Sequence, residues 1–266
     1  MRIGVCVSMF QSDKDFTGLG VLPIVVKAGF DYVEVPSAQL LALGPDELER
    51  AVESIQSCGL PALAFNNLFQ AGVRLTGPEV DDAKVDAYLD RLLELATRLG
   101  IETFIFGSGG ARNVPMGFPY EKAWKQVADM LRRLGPRAEK IGVTVVFEHM
   151  NRLEGNFGTA FMDGVKMAKE VNLPSVRCLV DSFHLGLGKE PLQDVDDNFD
   201  LIRHIHFSNV LERSVATEGR HEQDGLEFLA LVKKKNYQHK LSVEGRSANP
   251  EKELPEAAAF LRKHLS

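Results

Sequence analysis

The chain has few cysteines, and none is placed to work with another. Cys6, Cys58 and Cys178 are odd in number, far apart and free of any CxxC pattern. That argues against a disulfide framework and for reduced thiols in a cytosolic setting. Cys6 and Cys178 fall in predicted strands and read as core fillers. An excess of basic residues is also missing. Lys and Arg number 31 against 37 Asp and Glu, giving a net charge of −6 and a pI near 5.7. This balance argues against nucleic acid or an anionic membrane as partner. The one basic run, Lys233-Lys234-Lys235, sits at a predicted helix C-terminus, where cations suit the helix dipole. No apolar run approaches the roughly 20 residues that cross a bilayer, and Met1-Arg2-Ile3-Gly4 enters a strand with no signal-peptide core. A cytoplasmic protein with no membrane partner is expected. Linkers and low-complexity stretches are absent too, so residues 1–266 read as one domain.

What the sequence does have is a rhythm. Short apolar, β-branched runs recur at Ile3–Ser8, Asp31–Val35, Ala62–Phe65, Thr103–Phe106, Val143–Phe147, Val176–Val180, His204–Phe207 and Leu241–Val243. Between them lie amphipathic stretches with helical spacing. In the clearest, Val85, Tyr88, Leu89, Leu92, Ala96 and Leu99 share a face, with Pro78 suiting the first turn and Gly100 the C-terminus. Gly135-Pro136 is expected to break or kink the helix that begins at Tyr120. Thr159 is expected to cap the helix after the fifth strand, and Asp224 with Glu227 to start the one before the eighth. Eight strands alternating with helices imply parallel pairing with right-handed crossovers. At this length the expected fold is α/β, a single (β/α)8 TIM barrel.

Ionisable residues stop four consecutive strands. Glu148 follows the fifth, Asp181 the sixth, His206 lies near the end of the seventh and Glu244 ends the eighth. In a closed barrel these ends meet at one side of one mouth, where such folds place their chemistry. Three carboxylates brought together repel one another unless a cation holds them. Two Glu, one Asp and one His make an oxygen-rich set that suits Mn²⁺, Mg²⁺ or Co²⁺ better than structural zinc. Each residue alone has a plain explanation: Asp181 as a cap, Glu148 or Glu244 paired with Arg152 or Arg246, His206 as a satisfied core histidine. Their shared placement favours function. His204, two residues earlier on the same face, reads as a deeper supporting residue.

Together, Glu148…Asn151-Arg152-Leu153-Glu154, Asp181-Ser-Phe-His184, His204-Ile-His206 and Val243-Glu244 resemble the xylose isomerase-like sugar isomerase and epimerase barrels. Among these they are most similar to the D-tagatose/D-psicose ketose 3-epimerases, over essentially the whole chain. The resemblance implies one divalent metal ion, Mn²⁺ before Mg²⁺ or Co²⁺, bound by Glu148, Asp181, His206 and Glu244. It implies that Glu148 and Glu244 double as the catalytic acid/base pair, and that Glu154 and His184 contact the O1 and O2 end of a sugar. It also implies a substrate-binding arginine after the His206 strand, for which Arg213 and Arg220 are candidates. Ser208–Gly225 departs most from the epimerase pattern. A homodimer or homotetramer is expected by the same resemblance.

The chemistry can be argued without the resemblance. A carbon-bound proton beside a carbonyl is too weakly acidic for an unaided carboxylate, and a chelated cation stabilises the enediolate that its loss leaves. A second carboxylate on the opposite face can return a proton and invert the carbon. Return to the neighbouring carbon would make an aldose–ketose isomerase of the hydroxypyruvate isomerase kind. Loss of a β-hydroxyl would make a dehydratase of the inosose or 3-dehydroshikimate type. An endonuclease IV-like barrel needs a three-metal cluster with several more His ligands and a DNA-facing basic surface, which seven histidines in all and a net charge of −6 disfavour. A sugar-binding protein without catalysis has no use for an acid/base pair. Gly107-Ser-Gly-Gly-Ala-Arg112 lacks a nucleotide-loop spacing and reads as a mouth-lining loop. Glu34 and Asn66 are expected to face the same mouth. Phe10, Phe69, Phe118, Phe157 and Trp124 read mostly as core or rim packing.

Overall fold

Each apolar run forms a strand in the computed structural model, which describes all 266 residues. The strands are β1 (Arg2–Cys6), β2 (Tyr32–Pro36), β3 (Ala62–Asn66), β4 (Thr103–Phe106), β5 (Thr144–Glu148), β6 (Val176–Asp181), β7 (Ile202–Phe207) and β8 (Lys240–Val243). All pair in parallel with their sequence neighbours, and β1 pairs with β8 to close the ring. The chain is a single (β/α)8 TIM barrel. Its helices are α1 (Leu22–Ala28), α2 (Ser37–Ala42), α3 (Pro45–Ser57), α4 (Asp82–Leu99), α5 (Gly109–Arg112), α6 (Tyr120–Lys140), α7 (Phe161–Val171), α8 (Ser182–Gly188), α9 (Leu192–Asp197), α10 (Gln223–Lys234) and α11 (Pro250–Leu265). No helix is long and apolar enough to cross a membrane.

Several expected helix ends move. The fourth helix starts from Asp81 rather than Pro78, because the Asp81 carboxylate accepts the free N–H groups of Ala83 and Lys84. Thr159 caps nothing; the Asp163 carboxylate instead accepts from the N–H of Ala160 at the start of α7. Asp224 lies inside the first turn of α10 and makes no cap. Gly135-Pro136 does not end its helix, which runs unbroken from Tyr120 to Lys140. Gly135 has a packing role: a Cβ there would lie 2.8 Å from Leu173 and 3.1 Å from Val176. The missing side chain lets α6 lie close against the turn into β6.

The core has two parts. Outside the ring, strand and helix side chains form one continuous apolar layer that includes Phe65, Phe104, Phe106 and Phe147, all fully buried. Each such side chain contributes roughly 1.5–3 kcal/mol. Inside the ring, Tyr32, Ala64, Ile105, Val146 and Leu179 make a smaller apolar plug. Gly4 leaves room for it, since a Cβ there would fall 2.4 Å from the Tyr32 ring. Above the plug the interior turns polar.

Candidate metal centre

The residues at the C-terminal strand ends converge as closely as side chains can. Glu148 ends β5, Asp181 ends β6, His206 is next to last in β7, and Glu244 follows β8. One ligand atom from each lies within 4.8 Å of all the others, and all four residues are buried. His206 Nδ1 faces Glu148 Oε1 at 2.8 Å and Glu244 Oε2 at 3.0 Å. Its other nitrogen, Nε2, faces Glu34 Oε1 at 3.0 Å.

The electrostatics are those of a site short of positive charge. Burial pushes the Asp181 carboxyl up to about 8; Arg213 opposes this and the nearby charge of Glu244 adds to it. Burial likewise raises Glu148, against the pull of His206. Burial disfavours a charge on His206, yet Glu244, Glu34 and Glu148 lift it well above the ordinary imidazole value. Glu244 lies well below the usual carboxylate range, because Arg213 and His206 outweigh its burial. Three oxygen donors and one imidazole nitrogen, crowded and buried, fit a hard or borderline divalent ion.

Arg213 reaches the same cluster. Its Nη2 donates to Glu244 at 2.6 Å and to Asp181 at 3.4 Å, its Nη1 lies 3.5 Å from Glu154, and its guanidinium stacks on Phe183 at 4.6 Å. Arg220 is not brought there. It reaches the Val215 carbonyl and Glu253, at the start of α11. Of the two arginine candidates, the structure therefore leaves Arg213 alone at the centre.

Glu154 and His184 are joined through Asn151, whose amide orientation is fixed by the backbone. Its Oδ1 accepts from Leu153 and Glu154 N–H groups, so its NH2 must face Glu154 Oε1 at 3.0 Å and His184 Nδ1 at 2.9 Å. Burial brings His184 down to about 2, so the ring is neutral. With Nδ1 accepting, the proton sits on Nε2, which faces Asp181 Oδ2 at 3.4 Å.

Four residues at the site carry roles that the strand pattern did not reveal. Glu34, expected to face the mouth, is fully buried beneath His206. Its carboxylate accepts from His206, from His204 Nε2 at 3.0 Å and from Ser242 Oγ at 2.7 Å. Burial works against a charge there, but the two histidines hold it down to about 2. This arrangement holds a proton on His206 Nε2 and turns Nδ1 toward the carboxylates. Cys6, expected to be a core filler, has its Sγ 3.8 Å from Glu244 Oε1. Gly107 is needed for space: a Cβ there would lie 1.8 Å from Glu148 Oε2. Arg112 is fully buried between Phe106 and Phe147 and donates to the carbonyls of Phe106 and Glu148, tying the ends of β4 and β5 together. The signals were present but faint: a lone acid two residues after Tyr32, and a glycine directly after β4.

A family model described as the xylose isomerase-like TIM barrel matches residues 22–264. The chain belongs to this family. The D-psicose 3-epimerase of Agrobacterium fabrum is 24% identical over 234 residues, covering 83% of this chain and 77% of that protein. The inosose dehydratase of Lacticaseibacillus casei is 32% identical over 114 residues, covering 41% of this chain; the match spans about a third of the dehydratase, 35% of its length. A solved D-psicose 3-epimerase with D-tagatose, from Clostridium cellulolyticum H10, superposes with a TM-score of 0.83 at 18% identity over 100% of both chains. That likeness establishes the shared barrel.

Proposed function

We propose that this protein is a divalent-metal-dependent ketose 3-epimerase. The observation that carries the reading is the convergence of Glu148, Asp181, His206 and Glu244 within 4.8 Å at the barrel mouth. These four residues would hold the ion, Mn²⁺ in the first instance and Mg²⁺ or Co²⁺ as alternatives. When bound, it supplies the positive charge that stabilises the enediolate left by loss of the C3 proton.

The chain's own groups do the rest. Glu148 and Glu244 each face His206 Nδ1, at 2.8 and 3.0 Å. One carboxylate takes the C3 proton and the other returns one from the opposite face, which inverts the carbon. His184 presents an Nε2–H donor, Glu154 an acceptor and Arg213 a fixed cation, three groups suited to the O1 and O2 end of a ketose. Arg112 and Gly107 keep the Glu148 carboxylate where it must act. A cytoplasmic homodimer or homotetramer is part of the same reading.

A dehydratase is the second reading, favoured by the 32% identity to an inosose dehydratase. The first step would be the same proton abstraction, with a β-hydroxyl leaving afterwards. Proton NMR in D₂O on the Mg²⁺-loaded enzyme, with free and phosphorylated ketoses, separates the outcomes. Deuterium entering C3 with a new epimer supports the epimerase. Exchange at C1 with an aldose product makes it an isomerase, and water loss from a cyclic keto-polyol makes it a dehydratase. Glu148→Gln and Glu244→Gln should each slow exchange by about 10²–10⁴-fold. Wild-type exchange in both variants overturns the assigned roles.

A further inference from the structure

The metal cluster occupies only one side of the mouth. On the side of β2–β4 it adjoins a pocket of about 470 Å³. The two share walls: Glu154 lines the pocket and reaches Arg213, and Gly107 lines it while its missing Cβ makes room for Glu148. Glu154 thus stands at the border of the two sites, so a ketose held at the metal by its C1–C3 end, with O1 and O2 against Glu154, would extend its C4–C6 end past that border into this space.

The space is too large for that end alone. At roughly 30 Å³ per water, a space of about 470 Å³ corresponds to about sixteen waters, and it is open to solvent at the rim. Three carbons and their hydroxyls replace only a few of them.

The lining describes what fills the remainder. No lysine, arginine or histidine faces the pocket, and its one charged side chain is the acidic Glu154. The guanidinium groups that touch its walls are engaged elsewhere: Arg74 donates to the carbonyls of Gly110 and Asn113, and Arg213 pairs with Glu154, Asp181 and Glu244. The Ser108 Oγ accepts from the Phe69 N–H, which leaves its own O–H as a neutral donor. A phosphate would meet the Glu154 carboxylate and no cationic side chain in the lining itself.

The walls instead alternate aromatic and amide groups. Phe16 and Phe69 are the aromatic walls, and Phe16 is 57% exposed at the rim. Gln39, Asn67 and Gln70 supply amides. Gln39 Oε1 is buried without any hydrogen-bond partner, which is costly unless a donor arrives. Flat apolar faces beside amide groups, one of them with an unpaired oxygen, suit a sugar ring, with its C–H face and its ring of hydroxyls.

We infer that the pocket is a subsite for a second, uncharged sugar ring, so that the substrate is a glycosylated ketose rather than a free hexose or a sugar phosphate. The inference rests on the epimerase reading for the orientation of the ketose.

Three sugars with the same free keto end test it: fructose, fructose 6-phosphate and isomaltulose, which is fructose glucosylated at O6. In the Mg²⁺-loaded enzyme, deuterium exchange at C3 should show kcat/KM at least about tenfold higher for isomaltulose than for fructose, with fructose 6-phosphate below both. Gln39→Leu and Phe16→Ala should each lower the isomaltulose-to-fructose ratio by about the same factor. Equal values for the two uncharged sugars, or a preference for the phosphate, overturn the inference while leaving the epimerase reading intact. Calorimetric titration with isomaltulose and fructose reads the pocket separately from turnover. Tighter binding of isomaltulose that Gln39→Leu abolishes sustains the subsite even if no sugar exchanges, an outcome that would sink only the epimerase reading. Equal affinity overturns the subsite.

Discussion

Gly107→Ala adds one methyl group and isolates the placement of a single carboxylate. The new Cβ would lie 1.8 Å from Glu148 Oε2, 2.8 Å from its Cδ and 3.5 Å from its Cγ. Gly107 is not among the residues with positive φ, so alanine meets no backbone strain there. The Glu148 main chain cannot give way, because Arg112 holds its carbonyl at 2.6 Å and β6 holds the strand. The carboxylate itself must recede by about 1.7 Å to reach an ordinary contact near 3.5 Å. Ligand distances in metal sites hold to within about 0.2 Å, so this shift removes Glu148 from the ligand set. The group that moves is the free end of a side chain, so the fold loses only about 1 kcal/mol. Titration of Mn²⁺ into metal-stripped protein should show affinity weakened by about 10–100-fold, the scale expected for disturbing a metal site. Tm should fall by only about 2–4 °C. Wild-type affinity in this variant would refute the argument that Gly107 sets the position of Glu148.

Three further outcomes follow from neighbouring contacts. Glu34→Gln cannot accept from His206, His204 and Ser242 together, so metal affinity should fall by about 10–100-fold; an unchanged Kd would remove Glu34 from the support of His206. Glu190 is pushed from 4.5 up to about 7 by burial, against its bond from the Phe161 N–H and with Asp163 and Asp194 adding to the rise. The folded state therefore binds the extra proton between those values, and stability falls as pH rises from about 4.5 to 7. In Glu190→Gln that decline should vanish from chemical denaturation curves taken across the window, and its persistence would exclude Glu190 as the source. Arg220→Ala should cost under about 1 kcal/mol, as an exposed ion pair does, and leave metal affinity unchanged; weakened metal binding would return Arg220 to the site.

The barrel was legible because each strand is a short apolar run and each charged residue interrupts one. The convergence of Glu148, Asp181, His206 and Glu244 followed from the same interruptions. Depth along a strand was not legible. Glu34 reads as a strand-end residue facing the mouth, but β2 continues to Pro36 and the stagger of the closed sheet sinks Glu34 beneath His206. That stagger is a property of ring closure, and no local stretch of sequence encodes it. Cys6 is the buried core residue expected, but its closeness to Glu244 depends on the same stagger. Arg213 and Arg220 could not be separated because loop geometry decides between them. The chain takes left-handed backbone at Glu212 and Arg213, with φ of 61° and 49°, and this accompanies the inward course of Arg213 to the cluster.

All four metal-cluster residues come from β5–β8, whereas the neighbouring pocket is built mostly from segments that follow β1–β4: Phe16, Gln39, Asn67, Phe69, Gln70 and Ser108. On the proposed reading, the acid/base and metal-holding groups all come from one half of the ring, while loops of the other half shape a neighbouring space that can change without touching those strands. A library that varies only those loops would explore new sugars while holding the reaction constant, which makes this half of the mouth the natural place to redirect the enzyme.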